Sequence, residues 1–441
     1  MRVAIVGSGI SGLAAAHTLG RAAEVTLFEA GNYFGGHTHT VDVTLPTPKG
    51  EITHGVDTGF LVFNERTYPG LIKLFSDLNV VTVKSDMSFS VQSQNPKNGQ
   101  RMEWSGTSLN ALFAQRSNLV NWRFWRMLSD IARFNSLCTL VASQNIEEQM
   151  RQTVGEFLTD NRFSDEFRDG YFLPMAACIW SCPTAQMLKF PMATMIRFCH
   201  NHGLLQIINR PQWRTVQGGA KHYVDKITAS ITDKRLNTPV RAIERMGPEL
   251  AGQSGRRVKI STDHTQEYFD AVIIATHSDE ALALRKAPTQ LEQTLLGAIK
   301  YHANRAVLHT DVTVLPTRKA AWAAWNYERA VVDKSESAAP AVCLHYLINR
   351  LQPLPWPQPV MVSLNPLRSI PEQHVLGQFE YSHPVFDSAA IKAQRQIPWL
   401  QGQHNIYYCG AWMGYGFHED GLKAGQLAAT QLLNHRGQVA P

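Results

Sequence analysis

The segment from Arg2 to Gly36 constrains this chain more than any other. Val3-Ala4-Ile5-Val6 is a short apolar run, followed by Gly7-Ser8-Gly9-Ile10-Ser11-Gly12 and a helix-like stretch to Leu19. A second strand-like run, Val25-Thr26-Leu27-Phe28, leads to Glu29 and Ala30. Strand, GxGxxG turn, helix, strand and acid in that order bind a dinucleotide. The glycines allow a tight turn, close approach of backbone to a pyrophosphate, and packing of helix on strand. The helix start at Ile10 and Ser11 offers free N–H groups and a positive dipole end to phosphates. Glu29, seventeen residues after Gly12, is placed to accept hydrogen bonds from a ribose.

The residues that follow select the dinucleotide. Gly31 and then Gly35-Gly36-His37 extend the loop after the second strand. A simple NAD-binding unit does not need the second glycine pair. The pair resembles FAD proteins of the amine oxidase and glutathione reductase type, in which backbone runs beside ribose and pyrophosphate. Those proteins usually place Arg after the paired glycines; His37 stands there in this chain and changes that contact. The expected cofactor is FAD, held noncovalently.

At 441 residues the chain exceeds one typical core, which points to two interleaved domains. With 44% apolar and 18% charged residues it has the composition of a folded protein and not of a disordered one. No run of eighteen apolar residues exists, so a membrane-spanning helix is not expected. The apolar start is absorbed by the nucleotide fold and is not read as a signal peptide. A mature cytoplasmic protein, with room for peripheral membrane contact, is the expectation. The net charge of +6 permits attraction to an anionic surface, and no nucleic-acid motif accompanies it. Six cysteines are scattered without a CxxC pair. Cys178, Cys182, Cys199-His200 and His202 could be imagined around a metal, but the spacing suits buried reduced thiols, and no metal is expected.

The remainder of a FAD domain is expected in separated pieces. Gln217-Gly218-Gly219 precedes a helix-like stretch, and Asn237 to Ile243 reads as a strand that brings Val240 past an adenine. Tyr268 to Thr276 reads as one buried strand ending at Ala275-Thr276. Near the C-terminus, Asn405 to Cys409 runs into Gly410-Ala411, then Gly414, Gly416 and His418-Glu419-Asp420-Gly421, with a helix from Leu422. This second strand–glycine loop–helix cradle would close around the flavin end. The expected class is α/β: a discontinuous Rossmann-like FAD-binding domain over 1–75, 215–290 and 399–441. An interleaved, mixed α+β substrate domain takes 76–214 and 291–398. No second GxGxxG follows a strand, so a built-in NAD(P)H domain is not expected.

The order of these pieces resembles the flavin-containing amine oxidase superfamily. His54 to Asn64, Thr67-Tyr68-Pro69, Ser85 to Phe89, Leu112 to Gln115 and Phe124-Trp125 resemble the N-terminal flavoprotein domain of plant cyclopropane-fatty-acid synthases. Related stand-alone bacterial proteins share them. The resemblance implies a lipid or fatty acyl substrate, which could be methylated and phospholipid-linked, and a lipid methyltransferase as a candidate partner. It also implies that Gly59-Phe60-Leu61-Val62, after Asp57-Thr58, passes beneath the flavin; the bland reading of that run is a buried strand.

Flavin chemistry reduces the need for protein nucleophiles. Tyr415 and His418 are the catalytic candidates near the flavin ring. His418 could accept a proton, or could be a loop histidine without a role. Asp420 reads as a helix N-cap. Leu119, Trp122, Trp125, Leu128, Ile131 and Phe134 recur at roughly helical spacing with interleaved arginines, either as a membrane-facing stripe or as a core face. Three functions stay open: an acyl-chain oxidoreductase or desaturase, an amine oxidase, and a flavin-bound accessory to a lipid methyltransferase.

Overall fold

Strand periodicity organises the nucleotide half. A strand buried on both faces reads as a continuous apolar run, and its period of two sends alternate residues into opposite cores. In a computed structural model describing residues 1–94, 101–144, 152–206, 211–247, 257–329 and 342–437, five strands form an all-parallel sheet. Its order is Asp233–Arg235, Glu24–Phe28, Arg2–Val6, Ala271–Ile274, Ile406–Tyr408. Val3, Ile5, Ala271, Ile273 and Tyr407 fall in one core with residues of helices Ile10–Leu19, Lys221–Ala229 and His418–Gly437. Ala4, Val6, Val272, Ile274, Ile406 and Tyr408 fall in the other core. That core is covered by an antiparallel sheet of Val240–Arg245, Val258–Thr262 and Gln266–Phe269.

Two elements differ from the sequence reading. The run Tyr268 to Thr276 is not one strand but parts of two, divided at Asp270. Gln266–Phe269 completes the antiparallel sheet and Ala271–Ile274 enters the parallel one. At the break the Asp270 carboxylate accepts the Arg2 N–H at 2.7 Å. The last helix begins at His418, not Leu422. Asp420 therefore lies inside its first turn, where its carboxylate accepts the N–H groups of Phe417 (3.0 Å) and Tyr415 (3.1 Å). It satisfies the backbone ahead of the helix from the third position and is not the N-cap.

A second sheet has seven strands in the order Val375–Val385, Lys300–His309, Met361–Leu364, Cys343–Leu347, Trp325–Arg329, Phe89–Gln94, Arg101–Ser105. All neighbours are antiparallel except the parallel pair Trp325–Arg329 and Phe89–Gln94. Its core is shared with helices Trp122–Gln144, Leu173–Trp180 and Met192–Asn201. In the first of these the core face is Phe124, Met127, Phe134, Cys138 and Val141, with Ile131 half-buried. The alternating spacing of three and four follows one helix face. The expected stripe from Leu119 to Phe134 advances by threes, so each step rotates it by about 60° and it winds off the face. It starts exposed at Trp122 and ends buried at Phe134. No helix among the described residues is long and apolar enough to cross a membrane.

Candidate active site

The Gly7–Gly12 loop leaves the C-terminal end of Arg2–Val6, the edge at which open α/β sheets receive ligands. A cavity of about 720 Å³ begins there, and Gly7, Gly9, Ile10 and Ser11 line it. Gly7 has φ +99°, and a Cβ on it would stand 2.8 Å from the Ala275 carbonyl oxygen. Gly9 has ordinary extended backbone, yet nothing lies within 4 Å of a Cβ added there: the space beside it is open. Helix Ile10–Leu19 has no side-chain cap and no acid in its first turn. Its leading N–H groups face the crevice ready for an anion. Glu29 is fixed beside them: Oε2 accepts the Ser8 N–H (3.0 Å) and hydroxyl, and Oε1 accepts the Gly31 N–H at 2.8 Å. Ala30 lines the same end, with Thr238, Pro239, Val240 and Arg241 opposite.

Further along, Gly36, His37, Gly59-Phe60-Leu61-Val62, Ala275-Thr276 and Gly410-Ala411 form the walls. His418 also lines the cavity. Its ring stacks on Phe60 at 3.7 Å, and Nε2 lies 2.9 Å from the Thr38 hydroxyl and 3.1 Å from that of Tyr223. Burial pushes its pKa down to about 3, so at neutral pH it is an uncharged ring and a weak proton acceptor. His37 is held well below the usual histidine range, first by burial and then by His383, His277 and His418. Its Nε2 has no hydrogen-bond partner. The bent glycines, uncapped helix end, fixed carboxylate and orphaned imidazole nitrogen suit the pyrophosphate and ribose of FAD. A neutral His37 can offer a hydrogen bond where an Arg would also offer charge.

The far end of the cavity is built by the second sheet and its helices. Met87, Ile179, Phe198, Leu204, Trp325 and Tyr346 line it, joined by Cys178, His202, Trp213 and Phe417. Trp325 and Tyr346 are register partners on adjacent strands and meet edge to face at 4.9 Å. Phe198 stacks on His202 at 3.9 Å and on Phe417 at 4.9 Å. The charged residues among the described cavity walls, Glu29, Arg241 and Glu280, belong to the nucleotide end.

Several expected site residues build the cavity without lining it. Gly12 lets helix approach strand: a Cβ there would meet the Gly7 carbonyl oxygen at 2.0 Å. Gly35, at φ +126°, donates its N–H to Ser8 Oγ and shapes the loop. Gly421 passes close to Ile10, and Leu422 is fully buried in the core. Tyr415 is not among the cavity walls; its carbonyl accepts the Trp180 indole N–H at 3.3 Å and its ring lies 6.3 Å from Phe198. The sequence reading missed Ser8, His277, His383 and the whole aromatic end. Ser8 lies inside the glycine loop itself; only strand register and the pairing of distant segments bring the others to one place.

The six cysteines are free and buried. Burial raises the Cys178 thiol well above its usual value and pushes Cys182 and Cys199 up to about 12, which makes them inert core thiols. Cys409, beside Gly410, is a core residue and not a cavity wall. Glu328, Cys343 and His345 do bring ligand-type atoms within 4.8 Å of one another. They hydrogen-bond among themselves, with His345 Nε2 at 3.0 Å from Glu328.

Known proteins share this fold. The sequence model of the flavin containing amine oxidoreductase family matches residues 10–433. No curated protein matches the chain in sequence. Among solved structures, wild-type putrescine oxidase bound to putrescine superposes with TM-score 0.67 at 15% identity, covering 98% of this chain and 99% of that one. A putative protoporphyrinogen oxidase from Exiguobacterium sp. 255-15 gives 0.66 at 16% identity, with 98% and 99% covered. A CLA-producing fatty acid isomerase from P. acnes gives 0.63 at 16% identity, with 98% of both chains covered. At these identities the structures establish the fold, while the family match establishes the kinship and, with the cavity, the cofactor. The chain belongs to the flavin-containing amine oxidoreductase family and is a FAD-dependent oxidoreductase.

Proposed function

We propose that the protein oxidises a long apolar substrate, a fatty acyl chain free or linked to phospholipid, by removing hydride from a C–H bond to FAD. The observation that carries this reading is the uncharged aromatic and aliphatic lining of the far end of the cavity, from Met87 to Tyr346. An amine substrate is a cation near neutral pH, and burying it without a carboxylate is costly. An acyl chain gains from the same wall through loss of water-exposed area. The fatty acid isomerase of like fold is compatible with this choice.

The bound flavin supplies the hydride acceptor. The chain's own residues then have three tasks. The Phe198–His202–Phe417 and Trp325–Tyr346 groups exclude water and orient the chain. The Thr38–His418–Tyr223 cluster holds the loop at the flavin end without adding charge. Desaturation would release hydride to FAD and a proton to solvent or a neighbouring base, leaving a carbon–carbon double bond. The sequence resemblance to the flavoprotein domain of cyclopropane-fatty-acid synthases supports a methylated acyl chain as the finer substrate, with a lipid methyltransferase as its supplier.

Anaerobic mixing of the FAD-loaded protein with candidate substrates tests this. Bleaching of the oxidised flavin by a methylated or unsaturated phospholipid, with no response to mono- or diamines, is the expected outcome. Bleaching by amines with peroxide release in air overturns it in favour of amine oxidation. A flavin reduced by light but by no lipid overturns it in favour of an accessory role.

A further inference from the structure

Exposed apolar side chains gather on one tip of the second domain. Leu109, Leu119, Val120, Trp122 and Trp125 are 77%, 49%, 88%, 63% and 49% exposed. They sit on the short helix Leu109–Leu112, the 3-10 turn Arg116–Val120 and the start of helix Trp122–Gln144. These pieces form one surface: Trp125 donates its indole N–H to the Leu119 carbonyl at 2.9 Å and lies 5.5 Å from Phe113, itself buried. The helix beyond them has spent its apolar face on the core, so the tip's exposure is not an amphipathic stripe awaiting a neighbour along the helix.

The tip's own segment carries charge of one sign. Between Glu103 and Asp130 the sequence contains Arg116, Arg123 and Arg126 and no acidic residue. All three arginines are exposed. Arg116 reaches only neutral acceptors, the Asn110 side chain and the Phe113 carbonyl, and Arg123 has a loose pairing with Glu166 at 3.7 Å. Bulky aliphatic and indole side chains projecting from a cationic rim match the two layers of an anionic bilayer: apolar groups enter the acyl boundary, indoles sit at headgroup depth, and guanidinium groups pair with phosphates.

We infer that this tip docks the protein onto an anionic phospholipid surface. The helix that carries it also packs against Met192–Asn201, whose Phe198 lines the apolar end of the cavity. Docking is independent of the substrate reading: a lipid surface can hold the protein whatever its flavin oxidises.

Sedimentation of the FAD-loaded protein with vesicles of phosphatidylcholine, alone or mixed with phosphatidylglycerol, reads docking without reading turnover. The protein is expected to pellet with the mixed vesicles, less so as salt rises. The double variant Val120→Asp, Trp122→Asp should reduce partitioning about tenfold or more with flavin content unchanged. Arg123→Gln with Arg126→Gln should weaken binding to the mixed vesicles and leave binding to phosphatidylcholine unaltered. Protein that stays in the supernatant with every vesicle overturns the inference, and so does an Asp variant that pellets like the parent. Concentration-dependent dimerisation abolished by the Asp variant, without vesicle binding, would assign the tip to a second copy and overturn it likewise.

Discussion

Three adjacent residues divide the work at the start of the last helix. His418 faces the cavity, Glu419 turns away, and Asp420 turns back to the loop that precedes it. The buried Glu419 carboxylate accepts the N–H groups of Gly70 and Leu71, each at 2.9 Å, at the N-terminus of helix Pro69–Asp77. That helix has no side-chain cap of its own. Glu419 thus satisfies two orphan donors and meets a positive dipole end from a part of the chain far away in sequence. Glu419→Ala should destabilise the protein by about 2 kcal/mol, the cost of leaving buried donors unpaired. Urea unfolding of the variant beside the parent checks it, and Glu419→Gln should recover part of the loss because its carbonyl accepts one of the two bonds. The spacing of acid and glycine in the sequence signals a helix start there. It does not say which acid caps which helix, because Glu419 serves another element.

At the scale of elements, the helix after the glycine loop is clamped on two sides. Gly12 brings Ile10–Leu19 against the loop, and Gly425 brings His418–Gly437 against the same helix: a Cβ on Gly425 would stand 2.0 Å from the Ser11 carbonyl oxygen. A crowded glycine and an open one in the same neighbourhood should behave differently when a methyl group is added. Gly425→Ala should push the helices apart and cost about 1–3 kcal/mol, as overpacking does. Gly9→Ala should leave stability nearly unchanged, since no atom crowds its Cβ and its φ of −62° suits any residue, and it should lose FAD because the methyl enters the phosphate site. Unfolding midpoints of the apoproteins and flavin retained after gel filtration separate the two effects. The GxGxxG spacing marked Gly12 and Gly9 together; only packing shows that one is held by its neighbours and the other is kept open for a ligand.

Asp57 works at the scale of the whole molecule. Its buried carboxylate accepts from the Thr40 hydroxyl, the Ala220 N–H and the Gln352 side-chain N–H, and its own N–H donates to the Gln352 side-chain oxygen Oε1. One side chain thereby ties a hairpin, the start of helix Lys221–Ala229 and the end of helix Ile348–Leu351. Burial outweighs these donated bonds and pushes its pKa up to about 7. An acid whose folded pKa is raised holds its proton more tightly when folded than when unfolded. Its contribution to stability is fullest below the unfolded value and is lost as pH rises towards 7. Asp420, pushed up to about 6 by burial, acts in the same direction. Thermal unfolding midpoints should therefore carry a falling component between about pH 4 and 7 from these groups. Asp57→Asn should lower the midpoint at every pH and flatten that component.

By itself the sequence determined the nucleotide half. Its signals are local: apolar runs of strand length, glycines at fixed offsets, and an acid one strand further on. A phosphate site made of backbone N–H groups depends on turn geometry that a few consecutive residues dictate. The turn at Gly218-Gly219 ahead of helix Lys221–Ala229 was legible for the same reason, as was the glycine turn after strand Ile406–Tyr408. The tertiary structure alone decided what the far end of the cavity is. Met87, Ile179, Phe198, Trp325 and Tyr346 come from distant segments, and each, alone, is an ordinary apolar residue in a strand, helix or loop. It also decided the fate of the Leu119–Phe134 stripe, whose spacing by threes winds from solvent into the core and leaves its tryptophans at the tip. Non-local register and helix rotation are set by which faces find partners on folding, and no short window of sequence contains that information.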